Sequence, residues 1–185
     1  MNICLIGPRG VGKTRTARRL AILLHRPVVS TDVLVSYECG GRSIASLIRQ
    51  KGGGVQAWRY FRQRELAVLR KIANLKDVIV DCGGGIVVDL NRYGVERLSL
   101  QKVRLLRKNS VVVWLKSDMG EILKKTEADP RRPKLSSTQD VRQIMRRRKP
   151  FYAKAAHVKI SADEHGAKIL AEQILKKIRP RIQTP

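Results

Sequence analysis

Eight residues near the start of the chain, Gly7-Pro8-Arg9-Gly10-Val11-Gly12-Lys13-Thr14, fit the pattern G-x-x-x-x-G-K-[ST]. Glycines at this spacing let the backbone curl until its N–H groups face an anion, and a helix starting directly after them adds the positive end of its dipole. In such a loop the lysine neutralises the β- and γ-phosphates of a nucleotide, and the Thr14 hydroxyl ligates Mg²⁺. The alternative is a Gly-rich turn that binds nothing. Context argues against it, because an apolar run, Asn2–Ile6, precedes the motif and a helical pattern follows it. The motif implies a mononucleotide site without naming the acceptor of the phosphoryl group.

Three further groups of residues could serve that acceptor. Asp32, in Val29-Ser30-Thr31-Asp32, follows a strand candidate, where a carboxylate could take a proton from an attacking hydroxyl or orient it. An Asp in that position is equally a good helix N-cap. Gly83-Gly84-Gly85 directly follows Val78-Ile79-Val80-Asp81-Cys82, and three glycines in a row allow a ligand to meet bare backbone, which a mere tight turn seldom needs. The third group comprises the arginines of Phe61-Arg62-Gln63-Arg64-Glu65, Arg131-Arg132-Pro133 and Arg146-Arg147-Arg148-Lys149-Pro150. Arginine forks onto carboxylate or phosphate, although most surface arginines are only solvated.

The elements that must position these residues alternate. Short apolar runs rich in β-branched residues occupy positions 2–6, 27–30, 78–82, 111–115 and 158–160 and read as buried strands. Residues 13–25, 55–75 and 166–178 carry apolar side chains at helical spacing, such as Ala17, Leu20 and Leu24, or Leu170, Ile174 and Ile178. Strands alternating with helices predict an α/β fold with a parallel sheet covered on both faces. The polar, proline-containing stretch 127–139 breaks the helical pattern, and such segments beside phosphate sites often act as covers.

With 185 residues, 43% of them hydrophobic, the chain is expected to form one domain over 1–185 with a real core. Cys4, Cys39 and Cys82 are odd in number and far apart, which suits neither a metal site nor a disulfide framework. Cys4 and Cys82 read as small core residues. No apolar run approaches the roughly 20 residues that span a bilayer, and the chain enters MNICLIG without a signal-type segment, so a cytoplasmic protein is expected. Thirty-nine Lys and Arg against 15 Asp and Glu leave a net charge of +24, spread over both halves of the chain. That field favours anionic ligands and weak, non-specific contact with polyanions, or it reflects surface solubility alone.

Taken together, these residues resemble the shikimate kinase family. The Gly7 to Thr14 loop is similar to its phosphate loop, Thr31-Asp32 to its S/T-D pair, and Phe61-Arg62-Gln63-Arg64-Glu65 to its F-R-x-x-E. Gly83-Gly84-Gly85 resembles its triple glycine, Arg132-Pro133-Lys134-Leu135 its R-P-L-L, and Arg148-Lys149-Pro150-Phe151-Tyr152 its R-x-P-L-Y. The resemblance implies a three-layer α/β/α P-loop kinase with a mainly five-stranded parallel sheet, substrate-binding helices in the 32–66 region and a lid over 127–139. It further implies ATP as co-substrate, Mg²⁺ and shikimate as acceptor; separately, a monomer with no specific nucleic acid and no membrane is expected. Gly10, Val11, Gly12, Lys13, Thr14 and Arg15 would hold the nucleotide, with Lys125 beside the adenine and Arg132 reaching the phosphates from the lid. Asp32 would bind the substrate hydroxyls, Arg62 and Arg148 its carboxylate, and Gly83 and Gly84 would complete the pocket. Lys13, Asp32 and Arg132 would then be the catalytic set.

The chain departs from the family pattern in places. Ser30 stands where many members carry an acidic residue, and Asp81, at the end of its strand, is the candidate to hold Mg²⁺ with Thr14, directly or through water. A purely local hydrogen bond to backbone is the other role open to Asp81. Arg59, three residues before Arg62, shares its helix face and rivals it for the carboxylate. Residues 161–164 lack the proline often found near the adenine. The rival functions are another small-metabolite kinase, of gluconate type, and a nucleic-acid-stimulated NTPase. Only eight aromatic residues are present for base stacking, which weakens the second.

Overall fold

The computed structural model describes residues 1–118, 120, 141–163 and 165–182. The expected lid at 127–139, with Lys125 and Arg132, lies outside the described residues. Along the chain the described elements are β1 (Asn2–Ile6), α1 (Lys13–Leu24), β2 (Val28–Ser30), α2 (Thr31–Glu38), α3 (Ile44–Gln50), α4 (Gly54–Ile72), β3 (Ile79–Asp81), β4 (Val88–Leu90), β5 (Glu96–Leu98), α5 (Leu100–Arg107), β6 (Ser110–Lys116), α6 (Val141–Ala155), β7 (Val158–Ser161) and α7 (Ala167–Ile182).

Five of the strands form one parallel sheet in the order β2-β3-β1-β6-β7. The central strand, β1, is buried along its whole length, as expected of a parallel strand covered on both faces. Because successive side chains point to opposite faces, Cys4 and Ile6 join one core while Ile3 and Leu5 join another. The first core packs under α4, α5 and α6 and contains Phe61, Val68, Leu69, Leu106 and Tyr152. The second packs under α1 and α7 through Ala17, Leu20, Leu170, Ile174 and Ile178. The result is the expected three-layer sandwich. Cys4 and Cys82 are both buried in the first core.

Register places the functional loops together. Leu5 pairs with Asp81, and Asp81 with Ser30, so the segments that follow β1, β3 and β2 leave the sheet at one carboxyl edge. From β1 the chain crosses to β2 on one side of the sheet, and from β3 it passes on to β6 on the other side. This is the switch in strand order at which open α/β sheets bind ligands.

The five expected strands agree with the structure to within a residue or two at each end. A β-hairpin, β4–β5, lies between the triple glycine and α5 and was not expected. It pairs Val88 with Leu98 and Leu90 with Glu96. An isolated two-stranded ribbon is marginal in water, and this one is anchored. Ser99 N–H donates to the Val87 carbonyl, and the Arg59 guanidinium donates to the Asn91 and Arg92 carbonyls. Among the described residues, no helix is long and apolar enough to cross a membrane.

Candidate active site

The Gly7 to Thr14 loop joins β1 to α1. Gly12 precedes α1 with φ +93°, a left-handed conformation that favours glycine, and no side chain caps the helix there. The first-turn amides of α1 are therefore left to an anion, as they are in phosphate loops. Lys13 is nearly buried, and its Nζ donates to the Gly7 and Pro8 carbonyls at 3.0 and 2.8 Å. The ammonium thus lies inside the curl of the loop. Thr14 donates its hydroxyl to Asp81 Oδ2 at 2.7 Å. Hydroxyl and carboxylate oxygens side by side at the foot of a phosphate loop are the hard-donor chemistry that Mg²⁺ requires. The bond joins the first turn of α1 to the end of β3, so the Asp81 side chain is engaged by a distant hydroxyl. Arg15, one residue on, is exposed.

Asp32 lies in the first turn of α2, but it is not the cap. Ser30 takes that role, its side chain accepting from Val33 N–H, so the capping alternative for Asp32 is corrected. Thr31, fully buried, accepts from Gly83 N–H at 2.8 Å and ties the start of α2 to the triple glycine. Burial first, and then the charge of Glu65, raise the Asp32 pKa to about 6 against the opposing charge of Lys13. The carboxyl is thereby tuned toward the range in which a group exchanges protons near neutral pH.

Gly83, Gly84 and Gly85 are glycines because three neighbours press against them. A Cβ at Gly83 would strike the Asp32 carboxylate, one at Gly85 the Arg62 guanidinium, and one at Gly84 would lie 3.3 Å from Arg9 N of the phosphate loop. Bare backbone is what lets an acid, a base and the phosphate loop share one turn. The Gly84 carbonyl also accepts from Tyr152 Oη and, at 3.4 Å, from Arg148 NH1.

Arg62 and Glu65 occupy the otherwise apolar buried face of α4, which carries Ala57, Phe61, Val68, Leu69 and Ile72. Arg62 NH1 donates to Glu65 Oε2 at 2.7 Å and to the Gly85 carbonyl at 3.1 Å. Its Nε is buried and makes no hydrogen bond. An unmet donor on a buried guanidinium is costly and fits a site that expects an external acceptor. Arg59, by contrast, is held on the hairpin carbonyls, so the structure separates the two rivals and directs Arg62 to the triple glycine.

Arg148 on α6 is buried, whereas Arg146 is exposed. Its Nε donates to Glu96 Oε2 at 3.0 Å and its NH2 to Glu96 Oε1 in a two-pronged pair. Burial alone would raise the Glu96 pKa; the hydrogen bond and charge of Arg148, joined by Arg62 and Arg147, outweigh it and hold the carboxyl below its usual range. The Arg62 and Arg148 guanidiniums therefore converge on the Gly84-Gly85 backbone, with Asp32 beside Gly83.

Sequence reasoning missed two members of this cluster. Glu96 belongs to the hairpin, whose signal was the turn Asn91-Arg92-Tyr93-Gly94 between two β-branched segments; the Asn91 side chain accepts from Tyr93 and Val95 N–H. Lys102 on α5 is fully buried, donating to Glu65 Oε2 at 2.7 Å and to the Val88 carbonyl at 2.9 Å. Burial pushes its pKa down, against the pull of Glu65. Nothing in the local sequence separates this lysine from the exposed Arg104 or Arg107.

A phosphate loop at the switch point of a five-stranded parallel sheet, facing a pocket of two arginines and a carboxyl, defines a P-loop kinase of small molecules. The chain belongs to the shikimate kinase family, whose sequence model matches residues 9–179. It is 41% identical over 175 residues to a shikimate kinase of Leptospira biflexa serovar Patoc, covering 95% of this chain and 94% of that one. A second, from Leptospira borgpetersenii, is 38% identical over 177 residues, covering 96% and 97%. Among solved structures, a shikimate kinase from Acinetobacter baumannii in complex with shikimate superposes with a TM-score of 0.80 at 30% identity, covering 99% of this chain and 95% of that one.

Proposed function

We propose that this chain phosphorylates the 3-hydroxyl of shikimate with ATP, in the pathway to chorismate and the aromatic amino acids. The observation that carries the reading is the convergence of Arg62, Arg148 and Asp32 on three consecutive glycines beside the phosphate loop. Two guanidinium forks suit a carboxylate, and a neighbouring carboxyl group suits the hydroxyls of a polyol acid.

Bound Mg·ATP supplies the transferable phosphoryl group and a cation that offsets its charge. This chain's residues do the remaining work by positioning and electrostatics. Arg62 and Arg148, with the Gly83 and Gly84 backbone, hold the substrate carboxylate and so fix which hydroxyl faces the phosphate loop. Asp32, ionised above about pH 6, accepts the proton of that hydroxyl or aligns it for attack. Lys13 would neutralise the terminal phosphates, the amides Gly10 to Arg15 would cradle them, and Thr14 with Asp81 would hold Mg²⁺. By the family resemblance, Arg132 would complete the charge clamp and Lys125 would lie beside the adenine, both outside the described residues. The working unit is a cytoplasmic monomer formed by one kinase domain.

The test is release of ADP from Mg·ATP on addition of shikimate, gluconate, a nucleoside monophosphate mixture or single-stranded DNA. Release selective for shikimate is expected. Equal or greater release with another partner, or release independent of any partner, would leave the phosphate loop standing and overturn the acceptor assignment.

A further inference from the structure

The β4–β5 hairpin brings a carboxylate of the chain's own, Glu96, into the place where the proposed substrate carboxylate must be recognised. Glu96 grips Arg148 with both oxygens, and its Oε1 lies 4.0 Å from Arg62 NH2. Glu65 meets Arg62 NH1 through a single oxygen, Oε2, and shares that oxygen with Lys102. Among the ion-paired groups, three cations therefore meet two carboxylates around Gly84 and Gly85, a surplus of one positive charge, and Arg147 adds a weaker positive influence on Glu96. Asp32, on the Gly83 side where the reacting hydroxyl belongs, makes no ion pair with these cations among the described residues, although the charges of Glu65 and Arg62 act on it.

We propose that Glu96 is a specificity-determining residue, which holds the pocket to a surplus of one positive charge so that it accepts a monoanionic carboxylate and turns away dianionic, phosphate-like groups. This rests on the shikimate reading of the site. A kinase with an open pair of buried arginines has a selectivity problem, because phosphate dianions bind paired guanidiniums at least as well as carboxylates do. Nucleotide and phosphorylated product both carry such groups. A fixed internal carboxylate solves it, since like-charge juxtaposition penalises the second negative charge of a dianion more than the first charge of a monoanion. Glu96 is suited to the task. It remains ionised because Arg148 and Arg62 hold its pKa down against burial, and its strand is anchored by the bond from Ser99 N–H to Val87 O.

The experiment measures binding of shikimate and of its phosphonate counterpart, in which the ring carboxylate is replaced by a phosphonate, at pH 8 with Mg·ADP filling the phosphate loop. Wild type is expected to prefer shikimate. Removing one unit charge a few Å from the bound group should shift the shikimate-to-phosphonate affinity ratio by about tenfold toward the phosphonate in Glu96→Gln. Glu96→Asp and Glu96→Asn provide a second comparison with equal cavities that differ only in charge; the Asp variant should keep the wild-type ratio and the Asn variant should lose it. A merely structural role would move both of these alike. Unchanged ratios in the Gln and Asn variants, with shikimate still bound by wild type, would overturn the role of Glu96 alone. Absence of shikimate binding by wild type would overturn the reading of the site and this inference with it.

Discussion

Replacing Asp32 with asparagine removes a carboxylate that the fold holds at an electrostatic cost. Burial, followed by the charge of Glu65, lifts the Asp32 pKa from its ordinary 3.8 to about 6, with Lys13 opposing. At about 1.4 kcal/mol per pKa unit, this shift corresponds to roughly 3 kcal/mol, and the partial exposure of the side chain brings the usable figure nearer 2 kcal/mol. Its sign follows from which state holds the proton. Between about pH 4 and pH 6 the folded chain keeps it and the unfolded chain does not, so this contribution is complete below about pH 4 and is lost as the pH rises through 6. Asparagine is neutral throughout. Asp32→Asn should therefore be about 2 kcal/mol more stable than wild type at pH 8, some 5 °C in melting temperature, and nearly equal to it at pH 4. The same variant should lose about 100-fold or more in kcat if the carboxylate takes the proton. Urea unfolding of both proteins at the two pH values, paired with ADP-release assays, reads both quantities. A stability gain that is absent at pH 8, or that persists unchanged at pH 4, would refute the electrostatic account.

Further outcomes follow from the same geometry. Arg62→Ala should weaken shikimate binding by about 100-fold, whereas Arg59→Ala, which releases only hairpin carbonyls, should change it less than about threefold; the reverse ranking in binding titrations would reassign the carboxylate clamp. Lys102→Met should cost about 3–5 kcal/mol in chemical denaturation because it leaves Glu65 buried with a single cation, and adding Glu65→Gln should recover part of that loss. Asp81→Asn should raise the Mg²⁺ concentration needed for half-maximal activity by about tenfold with little effect on shikimate affinity, and an unchanged Mg²⁺ titration would release Asp81 from the metal site.

The parts of this protein legible in its sequence are those set by local patterns. The phosphate loop is a contiguous string whose glycines and lysine act through their own backbone and the adjoining helix, and the five buried strands declare themselves as apolar runs between turn signals. Arg62, Arg148, Asp32 and the triple glycine were found as a set by family resemblance, since no single one of them is distinctive alone. What only the tertiary structure decided is which groups meet. Arg59 and Arg62 look alike on one helix face, and packing sends one to the hairpin and the other to Gly85. Glu96 and Lys102 carry no local signal in a chain of net charge +24, yet they are partners of a buried arginine and a buried glutamate. Their burial is tolerable only because a counter-ion from a distant segment waits in the same pocket, a condition that no local pattern can encode.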